Sequence, residues 1–130
     1  MIAARSQPGH RVLVVDDEAA IADTLKLILE QSGYETRAVY SGEAAVELLS
    51  DFQPDMLIAD VIMPGITGIQ AALQVLATLP SCKILLISGN EKAAVLLEES
   101  SRDKNRGFEL LAKPFHPTEL LAKMSSALSN

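Results

Sequence analysis

Five polar residues stand directly after short apolar runs of the sequence, at places where their side chains could meet and do chemistry. They are Asp16, Asp17, Asp60, Ser88 and Lys113. Three carboxylates in one pocket repel each other, so without a cation at least one carboxyl pKa should rise. Such an all-oxygen donor set suits Mg²⁺, which often shares its coordination shell with phosphate. A phosphoryl group requires a cation, an ammonium and a hydroxyl around a carboxylate. The pattern therefore predicts a site that binds Mg²⁺ and accepts a phosphoryl group.

The apolar runs have the length of buried strands. Four of them are nearly continuous, which favours strands of a parallel sheet that are buried on both faces. They cover residues 12–15, 56–59, 84–87 and 108–112. A fifth segment, residues 34–39, alternates polar and apolar side chains. This alternation fits an edge strand better than a central one.

Helical segments separate these strands. Three of them place apolar residues on one face: Ile21, Leu25, Ile28 and Leu29; Ala45, Leu48, Leu49 and Phe52; and Ile69, Ala72, Leu73 and Leu76. Gly33 is expected to end the first helix, Ser41 to cap the second, and Pro117 to stand in the first turn of the fifth. The fourth helix is the weakest expectation, because residues 93–97 are apolar whereas residues 98–106 are polar.

The alternation of strands and helices predicts an α/β fold in three layers. We expect a five-stranded parallel sheet in the order 2-1-3-4-5, of flavodoxin-like type, with five helices on its two faces. In such a sheet, ligands bind outside the carboxyl ends of the strands, where the strand order reverses. That point lies between the first and third strands, so Asp16, Asp17 and Asp60 should converge on it.

Bulk properties narrow the classes of function. A chain of 130 residues supports one domain, which we expect over residues 10–130, behind a short polar tail at residues 1–9. The net charge of −6 disfavours nucleic-acid binding, because phosphate backbones need clustered Lys and Arg. The tail lacks the apolar core of a signal peptide, and no apolar run approaches the roughly 18 residues of a membrane span. We therefore expect a cytoplasmic protein with neither nucleic-acid nor membrane partners.

Each polar residue also has a purely structural interpretation. Asp17 alone is most simply a helix cap, and Ser88 beside Gly89 fits a turn. Lys113 fits a surface position at a strand end. Asp60 is harder to explain in this way, because it ends an apolar strand and no helix follows directly for it to cap. The occurrence of all five residues at strand ends favours a functional site.

Four motifs, in order, resemble the receiver domains of response regulators in two-component signalling. They are Val14-Val15-Asp16-Asp17-Glu18, Asp60-Val61-Ile62-Met63-Pro64-Gly65 with Gly68, Ser88 where the family has Ser or Thr, and Lys113-Pro114-Phe115. Their spacing matches the family, and the resemblance runs from about His10 to about Leu128. We expect a stand-alone receiver that acts through another protein.

The resemblance implies a role for each residue of the acidic site. Asp60 would be the phosphoacceptor and become an aspartyl phosphate. Asp17 and Asp60 would ligate Mg²⁺ directly, and Asp16 would assist, often through water. The backbone carbonyl of Ile62 would complete the protein ligands. These roles follow from the family pattern and not from the spacing of the residues.

The resemblance also implies partners and a means of switching. A histidine kinase or a phosphotransfer protein would donate the phosphoryl group. The domain would catalyse its own phosphorylation and hydrolysis without being an enzyme in the usual sense. Lys113 would contact the phosphoryl oxygens, while Ser88 would reorient towards them and transmit the change. The surface for a downstream protein would comprise the predicted fourth helix, fifth strand and fifth helix.

Some positions depart from the family pattern or modulate it. Receivers usually carry Tyr or Phe three residues before the lysine, where this sequence has Leu110. Leucine has no ring to swing between buried and exposed states, so we expect the fourth helix and its preceding loop to carry the response. Ile62 and Asn90 stand at positions that, in the family, tune the lifetime of the phosphoryl group. The resemblance therefore implies slow hydrolysis, because the apolar Ile62 could shield the phosphoryl group from water.

Two other functions fit parts of the pattern. A phosphorylation-independent docking scaffold would keep the fold without the chemistry, but all the chemical positions are filled here. A phosphatase of the aspartate-nucleophile class would place Asp-x-Asp after the first strand. Asp16 and Asp17 are instead adjacent, and no cap insertion is visible. Phosphorylation by acetyl phosphate would separate the switch from the scaffold, and turnover of a phosphate ester would indicate the phosphatase.

Overall fold

A computed structural model describes residues 10–89 and 108–129 of the chain. In chain order the elements are β1 (Arg11–Val15), α1 (Ala19–Gln31), β2 (Glu35–Val39), α2 (Gly42–Leu48), β3 (Met56–Asp60), α3 (Gly68–Thr78), β4 (Lys83–Ser88), β5 (Glu109–Ala112) and α4 (Pro117–Ser129). The helix predicted from the sequence as the fifth is therefore α4. The predicted fourth helix, Asn90 and the tail at residues 1–9 lie outside the described residues.

The five strands form one parallel sheet in the order β2-β1-β3-β4-β5, which confirms the predicted topology. Val14 of β1 pairs with Ala38 on one side and with Ile58 on the other. The strand order reverses at β1, so the crevice lies between the carboxyl ends of β1 and β3. None of the helices in the described ranges combines the length and apolar character needed to cross a membrane.

Alternate strand residues point to opposite faces, so the sheet buries two separate apolar clusters. One face packs Leu13, Val15, Leu57 and Ala59 against apolar side chains of α2 and α3. The other packs Val12, Val14, Met56 and Ile58 against α1 and α4. Each large apolar side chain buried in this way contributes about 1.5–3 kcal/mol to folding. The two clusters confirm the three-layer architecture and hold the strand ends in register at the crevice.

The predicted helix boundaries are largely confirmed. The Ser41 hydroxyl oxygen accepts a hydrogen bond from the Ala44 N–H at 3.0 Å and so caps α2. Gly33 lies two residues after α1 with φ of 98°, a conformation that favours glycine. Pro117 is the first residue of α4, where its missing N–H costs nothing.

One predicted helix face is wrong at its end. The expected face included Phe52, but α2 ends at Leu48 and Phe52 lies beyond it. The turn after the helix still holds Phe52 close to its end, because the Phe52 N–H donates to the Leu48 carbonyl at 2.8 Å. Phe52 is nonetheless 2% exposed, and the guanidinium groups of Arg11 and Arg37 lie 5.7 and 5.0 Å from the centre of its ring.

The two edge strands differ in how well the sequence predicted them. The alternating strand β2 lies at one edge, as expected. The run at residues 108–112 was expected to be buried on both faces, and this is wrong. Strand β5 lies at the other edge, where Leu111 is buried but Glu109, Leu110 and Ala112 are exposed. Side chains of a strand point to the two faces of the sheet, so their burial depends on what packs over each face, which a run of apolar residues does not reveal.

Candidate functional site

The five polar residues predicted from the sequence all lie at the carboxyl ends of the strands. Asp16 and Asp17 follow β1, and Asp60 is the last residue of β3. Ser88 is the last residue of β4, and Lys113 follows β5. Because the sheet is parallel, these ends meet along one edge of the domain. The topology therefore brings the predicted site residues to the edge of the sheet that contains the reversal of strand order.

The acidic residues converge there as predicted. Asp16, Asp17 and Asp60 each offer a carboxylate oxygen, and these oxygens all lie within 4.8 Å of one another. Asp16 and Asp60 are buried, while Asp17 is exposed. The side chains thus leave the cluster open to solvent on the Asp17 side. Three oxygens at this spacing can bind one hard divalent cation.

The two carboxylate oxygens of Asp16 differ in their hydrogen bonding. Its Oδ1 accepts a hydrogen bond from the Glu18 N–H at 2.9 Å. Its Oδ2 is buried and has no hydrogen-bond partner within the described ranges. Burial raises the pKa of this carboxyl, the hydrogen bond from Glu18 lowers it, and the charge of Asp60 raises it further, with a net rise. An unpartnered buried oxygen in an all-carboxylate set fits Mg²⁺.

The structural interpretation of Asp17 is not supported. The N-cap residue of α1 is Glu18, and no side chain caps the helix there. Asp17 is instead the exposed member of the acidic cluster. A functional interpretation therefore explains its position better than a capping role does.

Lys113 adds the positive charge of the site. Its Nζ lies 3.4 Å from Oδ2 of Asp60, and the side chains of the pair are 29% and 12% exposed. The Lys113 N–H donates to the Ser88 carbonyl at 3.0 Å, which extends the pairing of β4 with β5. A Cβ added to Gly89 would lie 3.5 Å from Cδ of Lys113, so the lysine stem passes over this glycine.

The segment after Asp60 is a tightly constrained loop, here called the β3–α3 loop, residues 61–67. The Val61 N–H donates to the Ile87 carbonyl at 3.1 Å, and the Gly68 N–H donates to the Val61 carbonyl at 2.9 Å. A Cβ on Gly68 would overlap the Asp60 carbonyl, so the close return of the chain requires glycine. Ile62 is half-buried within this loop, and the metal-binding role of its carbonyl stays a prediction.

Two further features of the loop were not predicted. Thr67 and Gln70 form a reciprocal capping box at the start of α3, whose Thr-x-x-Gln spacing before an apolar run is readable in the sequence. The Glu43 carboxylate accepts a hydrogen bond from the Ile66 N–H at 3.2 Å. No local pattern indicates this second contact, because its partners lie in different elements.

The family comparison agrees with this geometry. The response regulator receiver domain family matches residues 12–125, which is most of the chain. The chain therefore belongs to this family and is a receiver domain of two-component signalling.

Solved structures of response regulators are similar over nearly the whole chain. A provisionally assigned response regulator from Chloroflexus aurantiacus is 32% identical with a TM-score of 0.79, covering 94% of this chain and 99% of that one. A CheY-like receiver domain protein from Methanospirillum hungatei is 26% identical with a TM-score of 0.81, covering 93% and 94%. The chemotaxis protein CheY4 of Vibrio cholerae is 28% identical with a TM-score of 0.79, covering 92% and 98%. These similarities confirm the flavodoxin-like receiver fold.

Proposed function

We propose that the chain is a phosphorylation-dependent signalling switch of the cytoplasm that accepts a phosphoryl group on Asp60. The observation that carries this proposal is the meeting of three carboxylates and the Lys113 ammonium at one strand edge. A histidine kinase or a phosphotransfer protein of the same compartment is the donor. The net charge of −6 supports a signal sent through protein–protein contacts and not through nucleic acid.

The acidic cluster is the proposed site of Mg²⁺. Asp16, Asp17 and Asp60 would hold the ion together with the backbone carbonyl of Ile62. When bound, Mg²⁺ would offset the repulsion among the carboxylates and neutralise charge on the phosphoryl oxygens. The buried, unpartnered Oδ2 of Asp16 supports this assignment, since a buried charged oxygen needs a partner.

The proposed transfer is an in-line displacement at phosphorus. A carboxylate oxygen of Asp60 forms a bond to the phosphorus of a donor phosphohistidine, and the P–N bond breaks with its electron pair staying on the imidazole. The Lys113 ammonium lies 3.4 Å from Oδ2 of Asp60. After the transfer it contacts the negatively charged phosphoryl oxygens. Attack of water on the same phosphorus regenerates the Asp60 carboxylate and releases inorganic phosphate. The domain thus acts on itself and is not an enzyme with an external substrate.

The proposed response starts at Ser88. Ser88 ends β4, and its carbonyl is bonded to the Lys113 N–H, so the two residues that would sense the phosphoryl group share one backbone contact. A reorienting Ser88 hydroxyl would move the loop that follows β4. The downstream protein would bind at the predicted fourth helix, β5 and α4, where Leu110 is 42% exposed. This apolar side chain fits a contact residue better than a rotating switch.

Intact-mass measurement after incubation with Mg²⁺ and acetyl phosphate tests the proposal. We expect one added phosphoryl group on the wild type and none on Asp60→Asn. The matched control is Asp51→Asn, because Asp51 is exposed in the turn after α2 and should leave phosphorylation intact. Absence of any adduct on the wild type would favour the alternative, a receiver-like docking scaffold that works without phosphate.

A further inference from the structure

The β3–α3 loop, residues 61–67, is fixed at both ends by neighbouring backbone. At its start, the Val61 N–H is bonded to β4 through the Ile87 carbonyl. At its end, the capping box of Thr67 and Gln70 holds the first turn of α3. Between these ends, Met63 is buried in the core and Ile62 packs against it. The middle of the loop matters because Ile62, the proposed carbonyl ligand, lies between the two fixed ends.

The backbone of the loop has a further contact, to a side chain of α2. Oε2 of Glu43, in the first turn of that helix, accepts a hydrogen bond from the Ile66 N–H at 3.2 Å. The contact joins residues 23 positions apart. Glu43 therefore links the loop after Asp60 to a helix that contributes no residue to the acidic cluster.

Two glycines make this contact possible. Gly65 has φ of +79°, and a Cβ there would lie 2.5 Å from Oε2 of Glu43, in the space that the carboxylate occupies. A Cβ on Gly42 would overlap the side chain of Ile66, which lies against the start of α2. A Cβ at Gly65 would thus displace the Glu43 carboxylate from the contact, and a Cβ at Gly42 would displace the end of the Ile66 side chain.

We propose that Glu43 is a positioning residue that holds the β3–α3 loop, and with it the Ile62 carbonyl, ready to bind Mg²⁺. This rests on the proposed function, since it takes the acidic cluster to be the magnesium site. A loop held by α2 before the ion arrives loses less conformational freedom on binding, so the ion binds more tightly. Glu43 acts through the Ile66 backbone and does not touch the ion.

Magnesium titration and amide hydrogen exchange, both by NMR, test this inference on the whole chain. In Glu43→Ala we expect Mg²⁺ to bind about fivefold more weakly, the effect of one lost hydrogen bond, and the Ile66 amide to exchange faster. Glu43→Gln keeps an acceptor oxygen and should stay close to the wild type, although it lacks the charge. Glu47→Ala, an exposed glutamate on the same helix, should alter neither quantity.

Each other result counts against the inference in an identifiable way. Unchanged Mg²⁺ affinity in Glu43→Ala would show that the hydrogen bond between Glu43 and Ile66 does not prepare the loop for the ion. This would hold even if the Ile66 amide exchanged faster. Equal weakening in Glu43→Gln or Glu47→Ala would show that charge, and not the hydrogen bond, is responsible. If the wild type itself bound no Mg²⁺ at millimolar concentration, the magnesium site of the proposed function would be contradicted. That outcome is distinct from a result that affects only the Glu43 variants.

Discussion

Lys113 reaches Asp60 across an intervening strand. Its Nζ lies 3.4 Å from Oδ2 of Asp60, although β4 lies between β3 and β5 in the sheet. The lysine backbone is fixed by its bond to the Ser88 carbonyl, and the stem passes over Gly89. The register of β4 and β5 therefore places the ammonium beside Asp60, the proposed phosphoacceptor.

This geometry predicts a large effect of Lys113→Ala on phosphorylation. Loss of a positioned cation beside the reacting oxygens should slow phosphorylation by acetyl phosphate about a hundredfold. Time-resolved intact-mass measurement checks the rate. Lys83→Ala is the control, because Lys83 lies at the opposite, amino end of β4 and should leave the rate unchanged. Equal phosphorylation rates in Lys113→Ala and the wild type would show that Lys113 does not contribute to the transfer.

Asp16→Asn should stabilise the protein when Mg²⁺ is absent. The substitution removes a buried charge that faces Asp60, so we expect the free energy of unfolding in a chelator to rise by about 1 kcal/mol. Urea unfolding with and without Mg²⁺ measures this, and stabilisation by Mg²⁺ should shrink in the variant. Lower stability of Asp16→Asn in the chelator would contradict this interpretation of the cluster.

The raised pKa of Asp16 also gives a pH dependence for the metal-free protein. The folded state binds this proton more tightly than the unfolded state does, so the stability from this group falls as the pH rises above the ordinary value of 3.8. The difference in stability between Asp16→Asn and the wild type should therefore grow from pH 4 to pH 7 in the chelator. A difference in stability that shrank from pH 4 to pH 7 would contradict the raised pKa of Asp16.

Gly68→Ala tests the tight return of the chain after Asp60. Its Cβ would overlap the Asp60 carbonyl, so we expect a loss of about 2 kcal/mol of stability in urea unfolding and slower phosphorylation. Gly89→Ala is the matched control. Its Cβ would make an ordinary 3.5 Å contact with Lys113, and stability should change by less than about 0.5 kcal/mol. Similar losses in both variants would contradict the assignment.

Cys82 should be an unreactive thiol. Burial, helped by the charge of Asp55, raises its pKa to about 12, so thiolate is scarce at pH 8. A disulfide reagent should react with it slowly in native buffer and rapidly in urea. Since the unfolded thiol ionises near 9, the stability from this group falls between about pH 9 and pH 12. Fast reaction in native buffer would contradict the burial of the Cys82 thiol.

Much of the fold was predictable because its signals are local. Apolar runs located the strands, and Gly33, Ser41 and Pro117 marked helix ends through their own conformational preferences. The exposure of β5 was not predictable from its run, because exposure depends on what packs over each face of the strand. The early end of α2 before Phe52 was missed because the helical spacing of apolar residues continues past it.

The site was predictable for a different reason. A parallel sheet in the order 2-1-3-4-5 places the ends of β1 and β3 side by side, so residue type and topology together located Asp16, Asp17 and Asp60. The contact of Glu43 with the Ile66 N–H was not predictable, since it depends on how one loop folds onto a distant helix.

The Mg²⁺ dependence of phosphorylation tests the central claim most directly. We expect the initial rate of Asp60 phosphorylation by acetyl phosphate to rise with Mg²⁺ and saturate, and to be near zero in a chelator. Asp17→Asn, with one ligand fewer, should need a higher Mg²⁺ concentration to reach half of its maximal rate. Phosphorylation of the wild type at an undiminished rate in the chelator would contradict a metal-assisted phosphoryl site at this strand edge.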